Sequence, residues 1–191
     1  VEDVGVLRSI PDVVIFEPVD EVQLAKAMPI IDAYEGVVYV RLFRKNQPVI
    51  FGEDYKFDLF KADALSDGKD VVIFATGIMV AEALEAKKLL AEEGVDAAVV
   101  NVHTVKPLDE ETVLKYLKKT GAAVVAENHN VKGGLFSAVA EVAAQNLPTP
   151  IKAVGIPDRF GEVGKMPYLK DVMHMNVSDI VSAAKEAIKM K

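Results

Sequence analysis

The sequence predicts an α/β fold: a three-layer domain around a mostly parallel five-stranded sheet with one antiparallel edge strand, preceded by a fragment of a second α/β domain. Three observations carry this expectation. Over residues 71–190, short apolar runs alternate with amphipathic stretches of helical length, and glycines close several of those stretches. Strands separated by single helices need crossover connections, so they should lie parallel with helices on both faces. The first 43 residues, by contrast, supply too few elements for a core of their own.

In chain order, "VVIF" (Val13–Phe16) reads as a strand. Asp20 then suits an N-cap; Val22, Leu24, Ala25 and Met28 fall near one helix face, and Gly36 ends the helix. Pro29 lies inside it, and a mid-helix proline costs about 3 kcal/mol, which predicts an interruption near Ala27–Met28. "VVYVRLF" (Val37–Phe43) is the next strand. From Arg44 to Lys61 the period is lost among Pro48, Gly52 and isolated aromatics, which predicts a linker wrapping a surface and a domain boundary. Beyond it, "FKADALSDGKDVVIFATG" predicts a hairpin that turns at Ser66-Asp67-Gly68-Lys69 into a strand at Val71–Ala75, supplying the antiparallel edge.

A regular alternation comes next. The helix Val80–Glu93 stops at Gly94, and the strand is Ala97–Val102. The helix Asp109–Lys119 stops at Gly121, and the strand is Ala122–Glu127. Helix Gly134–Asn146, strand Ile151–Ile156, a loop rich in Gly and Pro, and a last helix Ser178–Met190 complete the pattern. Residues 1–43 offer one helix and two strands, which leave a sheet face and edges uncovered. That segment either packs on the next domain or is the tail of a domain whose front half is missing.

Composition narrows the function. With 22 basic and 29 acidic side chains among 191 residues the net charge is −7, and no block of Lys or Arg suggests a nucleic-acid footprint. The absence of cysteine excludes disulfides, thiolate catalysis and zinc sites built on Cys. His103, His129 and His174 are the only imidazoles, far apart in sequence, so no metal site is expected. No run approaches the roughly 18 apolar residues of a membrane span, and residues 1–15 lack signal-peptide character, so the default localisation is cytoplasmic.

Four stretches bear on chemistry. In "RLFRKNQP", Arg44 and Lys45 follow a strand end, where α/β ligands collect and where a guanidinium can grip a phosphate; the alternative is a solvated charge pair opening the linker. In "VVAENHNVKGGLFSAVAEVAAQ", Gly133 and Gly134 before a helix could present backbone N–H groups to an anion, and Glu127 with His129 could form a general acid/base pair. The simpler reading there is close packing of helix on strand, with Glu127, His129, Gly133 and Gly134 forming an interface or a minor anion site. In "NVHTVKPLDEETV", Asp109 is an N-cap, Glu110 and Glu111 face water, and His103 and Lys106 read as a structural polar pair before a possible ligand or partner contact. In "TGIMVAEAL", Thr76 is a candidate cap and Gly77 allows close approach.

Taken in order, "VEDVGVLRSIP", "RLFRKNQP", "DVVIFATGIMVAEAL", "VHTVKPLDEETV" and "ENHNVKGGLFSAVAE" resemble the C-terminal half of a transketolase across essentially the whole chain. The resemblance divides the chain into residues 1–45 as the tail of a pyrimidine-binding domain, 46–60 as linker and 61–191 as a transketolase C-terminal domain. It implies transfer of a two-carbon ketol unit between sugar phosphates, with thiamine diphosphate and a divalent cation (Mg or Ca) in the complete enzyme. Arg44 matches the family's substrate-phosphate arginine.

The family's cofactor-binding segments and active-site histidine have no counterpart in residues 1–191. The resemblance therefore implies no catalytic residue, no cofactor and no turnover on this stretch alone, with a missing N-terminal part or subunit as partner and a homodimer as the assembly. Two other readings stand beside it: the partner-docking C-terminal part of a 2-oxo acid dehydrogenase beta subunit, and a relative that condenses pyruvate with a triose phosphate. A phosphate-holding arginine in "RKNQP" speaks for sugar phosphates over 2-oxo acids.

Overall fold

A computed structural model describes all 191 residues, and it contains two sheets. The elements in chain order are α1 (Asp3–Arg8), β1 (Val13–Phe16), α2 (Glu21–Asp32), β2 (Val37–Val40), β3 (Asp63–Ser66), β4 (Val71–Ala75), α3 (Met79–Glu92), β5 (Ala97–Asn101), β6 (Thr104–Lys106), α4 (Glu110–Thr120), β7 (Ala123–Asn130), α5 (Leu135–Asn146), β8 (Ile151–Ile156), α6 (Met166–Val172) and α7 (Val177–Ile188).

The larger sheet has the order β3-β5-β4-β7-β8, with β4, β5, β7 and β8 parallel and β3 antiparallel at the edge. This is the expected mostly parallel five-stranded sheet. All five residues of β4 and of β5 are buried, as the unbroken "VVIFA" and "AAVVN" runs require of strands covered on both faces. One apolar cluster, with Ile73, Val99, Val124, Leu90 and Ile180, lies under α3 and α7; the other, with Phe74, Val100, Val125, Leu117 and Val139, lies under α4 and α5.

The edge strand arrives differently from the hairpin the sequence suggests. β3 does not pair with β4; it pairs with β5, Ala64 opposite Val100 and Asp63 opposite Asn101. The turn residues Ser66–Lys69 carry the chain around the bottom of the sheet, where Gly68 passes so close to Ala97 and Ala98 that an added Cβ would lie 2.3 Å from their backbone. β5 therefore sits between the two strands that adjoin in sequence.

The smaller sheet has the order β2-β1-β6, with β1 and β2 parallel and β6 antiparallel to β1. β6 comes from just after β5, so the first 43 residues and the later chain share a sheet. They also share a core: Val4, Val13 and Ile15 belong to the same buried cluster as Phe74, Val100 and Val125. The opening segment packs on the larger sheet's domain.

α2 runs through Pro29 to Asp32 without the expected interruption. Pro29 is exposed and lies within the last turn, where the missing N–H and the ring meet solvent, and Ala33 still donates to the Pro29 carbonyl. The buried face is Gln23 and Ala27, with Leu24 and Ile31 beside them, whereas Ala25 and Met28 are exposed. The helix ends four residues before Gly36. Two short helices, α1 and α6, and the three-residue strand β6 are additions that the sequence pattern did not announce.

Candidate functional site

The carboxyl ends of β1 and β2 lie side by side because the two strands are parallel and in register from Val13 with Val37 to Phe16 with Val40. Pro18–Glu21 continue from the first and Leu42–Gln47 from the second. Together with Leu24 of α2 they line a cleft of about 200 Å³ that includes Arg44 and Lys45. Both cations are exposed. This is the place in an α/β sheet where ligands gather, and its basic side chains suit an anion.

Two carboxylates also line the cleft, Asp20 and Glu21. Asp20 is 6% exposed, and its two oxygens are taken by backbone donors. Oδ1 accepts from Gln23 N at 2.8 Å, capping α2; Oδ2 accepts from Ile50 N at 2.7 Å and Phe51 N at 2.9 Å. The sequence announced the cap but not the clasp on residues 50–51, which lie 30 positions away.

Arg41, at the near end of the same loop, was not singled out by its sequence context. Its amide donates to the Phe16 carbonyl, and its guanidinium reaches Asp3 Oδ2 at 2.8 Å, Glu17 Oε1 at 2.6 Å and the Asn128 carbonyl at 3.0 Å. Burial pushes the Glu17 carboxyl above the usual carboxylate range, opposed by Arg41, and the neighbouring Glu127 and Asp3 push it further up. Thr76 Oγ1 points at Glu17 Oε2, 3.5 Å away, so Thr76 serves this cluster and not the start of α3, which has no side-chain cap. Gly77, at φ +52°, is needed here: a Cβ would meet Glu17 Oε1 at 2.5 Å.

The stretch around Gly133–Gly134 is built as a double helix cap. Glu127, 1% exposed, accepts from Leu135 N at 2.7 Å and Phe136 N at 2.9 Å, the first amides of α5. The anion at this helix start is thus supplied by the chain itself. Gly133 N donates to Ser137 Oγ, and Gly133 packs on Gly5 of α1. His129 Nε2 accepts from Val4 N at 3.1 Å and Gly5 N at 3.3 Å, which caps α1 and leaves the ring proton on Nδ1 in the neutral form. Nδ1 is buried with no hydrogen-bond partner, and Glu127 Oε2 lies 3.7 Å away, beyond bonding distance.

The remaining candidates are placed by structure. Asp109 caps α4 through Thr112 and also accepts from Ala62 N at 3.0 Å, while Glu110 and Glu111 are exposed. Lys106 donates to the Arg8 and Ile10 carbonyls at the end of α1. His103 is fully buried, its Nε2 at 2.8 Å from the Lys61 carbonyl, and burial lowers its pKa to about 4. Beside it Asp63 accepts from Gln23, Tyr55 and Asn101, and burial raises its pKa to about 6 despite those bonds. Arg44 is brought together with none of Glu127, His129, Gly133 or Gly134.

Residues 60–180 match the family model described as "Transketolase, C-terminal domain". A 6-deoxy-6-sulfo-D-fructose transketolase subunit from Clostridium sp. (strain MSTE9) is 51% identical over 100% of this chain and 59% of its own length. A putative transketolase C-terminal section from Methanocaldococcus jannaschii is 37% identical over 98% of this chain and 60% of its own. A solved structure described as a split gene transketolase, inactive beta4 tetramer, superposes with a TM-score of 0.94 at 40% identity, over 100% of this chain and 62% of that one. The chain therefore spans about three fifths of the length of these relatives.

Proposed function

The chain belongs to the transketolase family through its C-terminal domain, and from that premise we propose that it is the C-terminal portion of an enzyme transferring two-carbon ketol units between sugar phosphates. Residues 1–45 are read as the end of its pyrimidine-binding domain, 46–60 as linker and 61–191 as its C-terminal domain. The two separate sheets support that division, although β6 crosses into the smaller one.

The observation that carries the substrate reading is the position of Arg44. It stands in a cleft at the carboxyl ends of two parallel strands, with Lys45 beside it. A guanidinium there can hold a terminal phosphate with two parallel hydrogen bonds and so orient the sugar chain. A 2-oxo acid offers no such group, which disfavours the role of a 2-oxo acid dehydrogenase beta subunit. The relative at 51% identity is described as a 6-deoxy-6-sulfo-D-fructose transketolase subunit. A sulfonate is also a terminal tetrahedral oxyanion, so a sulfonated ketose is the second reading of the same cleft.

Thiamine diphosphate and a divalent cation belong to the complete enzyme on this reading. No three His, Asp or Glu side chains in residues 1–191 converge to hold a metal ion by themselves. Both are assigned to a complementary N-terminal part or subunit, within a homodimer of the whole. No helix is long and apolar enough to cross a membrane, and the assembly is proposed to work in the cytoplasm.

The test is substrate class. The complete enzyme is assayed with ribose 5-phosphate as acceptor for xylulose 5-phosphate or 6-deoxy-6-sulfofructose as donor, and with glyceraldehyde 3-phosphate, or ferricyanide as oxidant, as acceptor for pyruvate as donor. Ketol transfer from either anionic ketose supports the proposal and ranks the two anions; turnover of pyruvate alone rejects it.

A further inference from the structure

The geometry points to Asp20 as a positioning residue for the anion site: its carboxylate ties the loop that carries Arg44 to the start of α2. This inference rests on the reading of Arg44 as the residue that holds the substrate's terminal anion.

The loop from Leu42 to Val49 has no helix or strand of its own. Phe43 packs on the apolar cluster under α3 and α7, and polar anchors hold the loop at its two ends. At its near end Arg41 is bonded through its amide to the Phe16 carbonyl and through its guanidinium to Asp3, Glu17 and the Asn128 carbonyl. At its far end Asp20 Oδ2 accepts from both Ile50 N and Phe51 N. Arg44 lies between these anchors, exposed, in a cleft that Asp20 itself lines.

Asp20 does two jobs with two oxygens. Oδ1 caps α2 through Gln23 N, and Oδ2 clasps residues 50–51. The side chain is therefore a rigid link between the carboxyl end of β1 and the return of the loop that leaves β2. It is 6% exposed, and three backbone N–H groups share its charge, so it can face an anion-binding cleft without emptying it. If Arg44 drifts out of hydrogen-bonding distance, a charge-assisted bond is forfeited, which weakens its grip by about one order of magnitude or more.

Two substitutions separate the jobs. Asp20→Asn and Asp20→Ser each keep one acceptor oxygen, which suffices for the helix cap but cannot also serve Ile50 and Phe51. Arg41 is a poorer target, because its loss strands the buried Glu17. The complete enzyme is assayed with xylulose 5-phosphate and with unphosphorylated xylulose as donors, in the wild type, D20N, D20S, R44A and the double variant D20N/R44A. The structure predicts that D20N and D20S raise KM for xylulose 5-phosphate about tenfold, with less than a twofold fall in kcat and less than a twofold change in KM for xylulose. The double variant should be no worse than R44A alone, since Asp20 acts through Arg44. Equal effects on both sugars, no effect, or additive losses in the double variant overturn the role of Asp20 while leaving Arg44 in place. An R44A enzyme that treats the two sugars as the wild type does overturns the anion site itself, and the role of Asp20 with it.

Discussion

Glu127 Oε2 and His129 Nδ1 face each other at 3.7 Å across the backbone of Gly134, and each side chain caps a different helix. Residues two apart on a strand point to the same side, so β7 delivers both to one place. Gly134 makes the approach possible. A Cβ there would lie 2.0 Å from Glu127 Oε2 and 2.7 Å from His129 Nδ1, and neither side chain can retreat without releasing its helix. Gly134→Ala should therefore cost about 3 kcal/mol in urea unfolding. Gly94→Ala is the control: its φ of +79° is unfavourable for alanine but its surroundings are empty, which limits the loss to about 1 kcal/mol.

Arg41 and Glu17 form a buried pair with side chains 15% and 5% exposed. Arg41→Met removes the cation and leaves the Glu17 carboxylate in the interior, a change expected to cost about 3–5 kcal/mol. Glu17→Gln keeps a hydrogen-bond acceptor for Arg41 and should cost less. The double variant should be more stable than the sum of the single losses predicts, because no stranded charge remains. Equilibrium unfolding of the four proteins checks the cycle.

Asp63 and His103 predict a compensated pH profile. Asp63 has its folded pKa raised from 3.8 to about 6, so the folded state binds the extra proton and its contribution to stability falls as pH rises from about 4 to 6. His103 has its folded pKa lowered from 6.5 to about 4, so the unfolded state binds the extra proton and its contribution rises between about pH 4 and 6.5. Their side chains are 3.7 Å apart, and the two slopes oppose each other over nearly the same window. The wild type should show little net slope from these groups. Asp63→Asn should unmask stability rising by about 2 kcal/mol from pH 4 to 6.5, and His103→Gln should unmask a fall of similar size from pH 4 to 6. Thermal unfolding of each variant across that range is the measurement.

These sites differ in how far the sequence announced them. β4, β5 and β7 were readable because their apolar runs are almost wholly buried, and because Gly77 after β4 and Gly94 and Gly121 at the ends of α3 and α4 take positive φ values that favour glycine. The cap at Asp109 was equally local. The partner of β3 was not, since Ser66-Asp67-Gly68-Lys69 has the chemistry of a hairpin turn, while the pairing that won joins Ala64 to Val100, 36 residues on. Burial of Arg41 leaves no trace in "YVRLFR", because its three partners come from α1, the end of β1 and β7. The pair Glu127 and His129 reads in the sequence as a possible acid/base pair, but only the fold shows that the donors they face are the chain's own helix ends.

Steady-state kinetics of Arg44→Ala in the complete enzyme tests most directly the proposal that Arg44 holds the terminal anion of a ketose substrate. With that role for Arg44, KM for xylulose 5-phosphate, or for the sulfonated ketose if that is the better substrate, rises about a hundredfold, while KM for the unphosphorylated sugar and thermal stability stay near wild type. A KM for the anionic ketose unchanged by the substitution would contradict it.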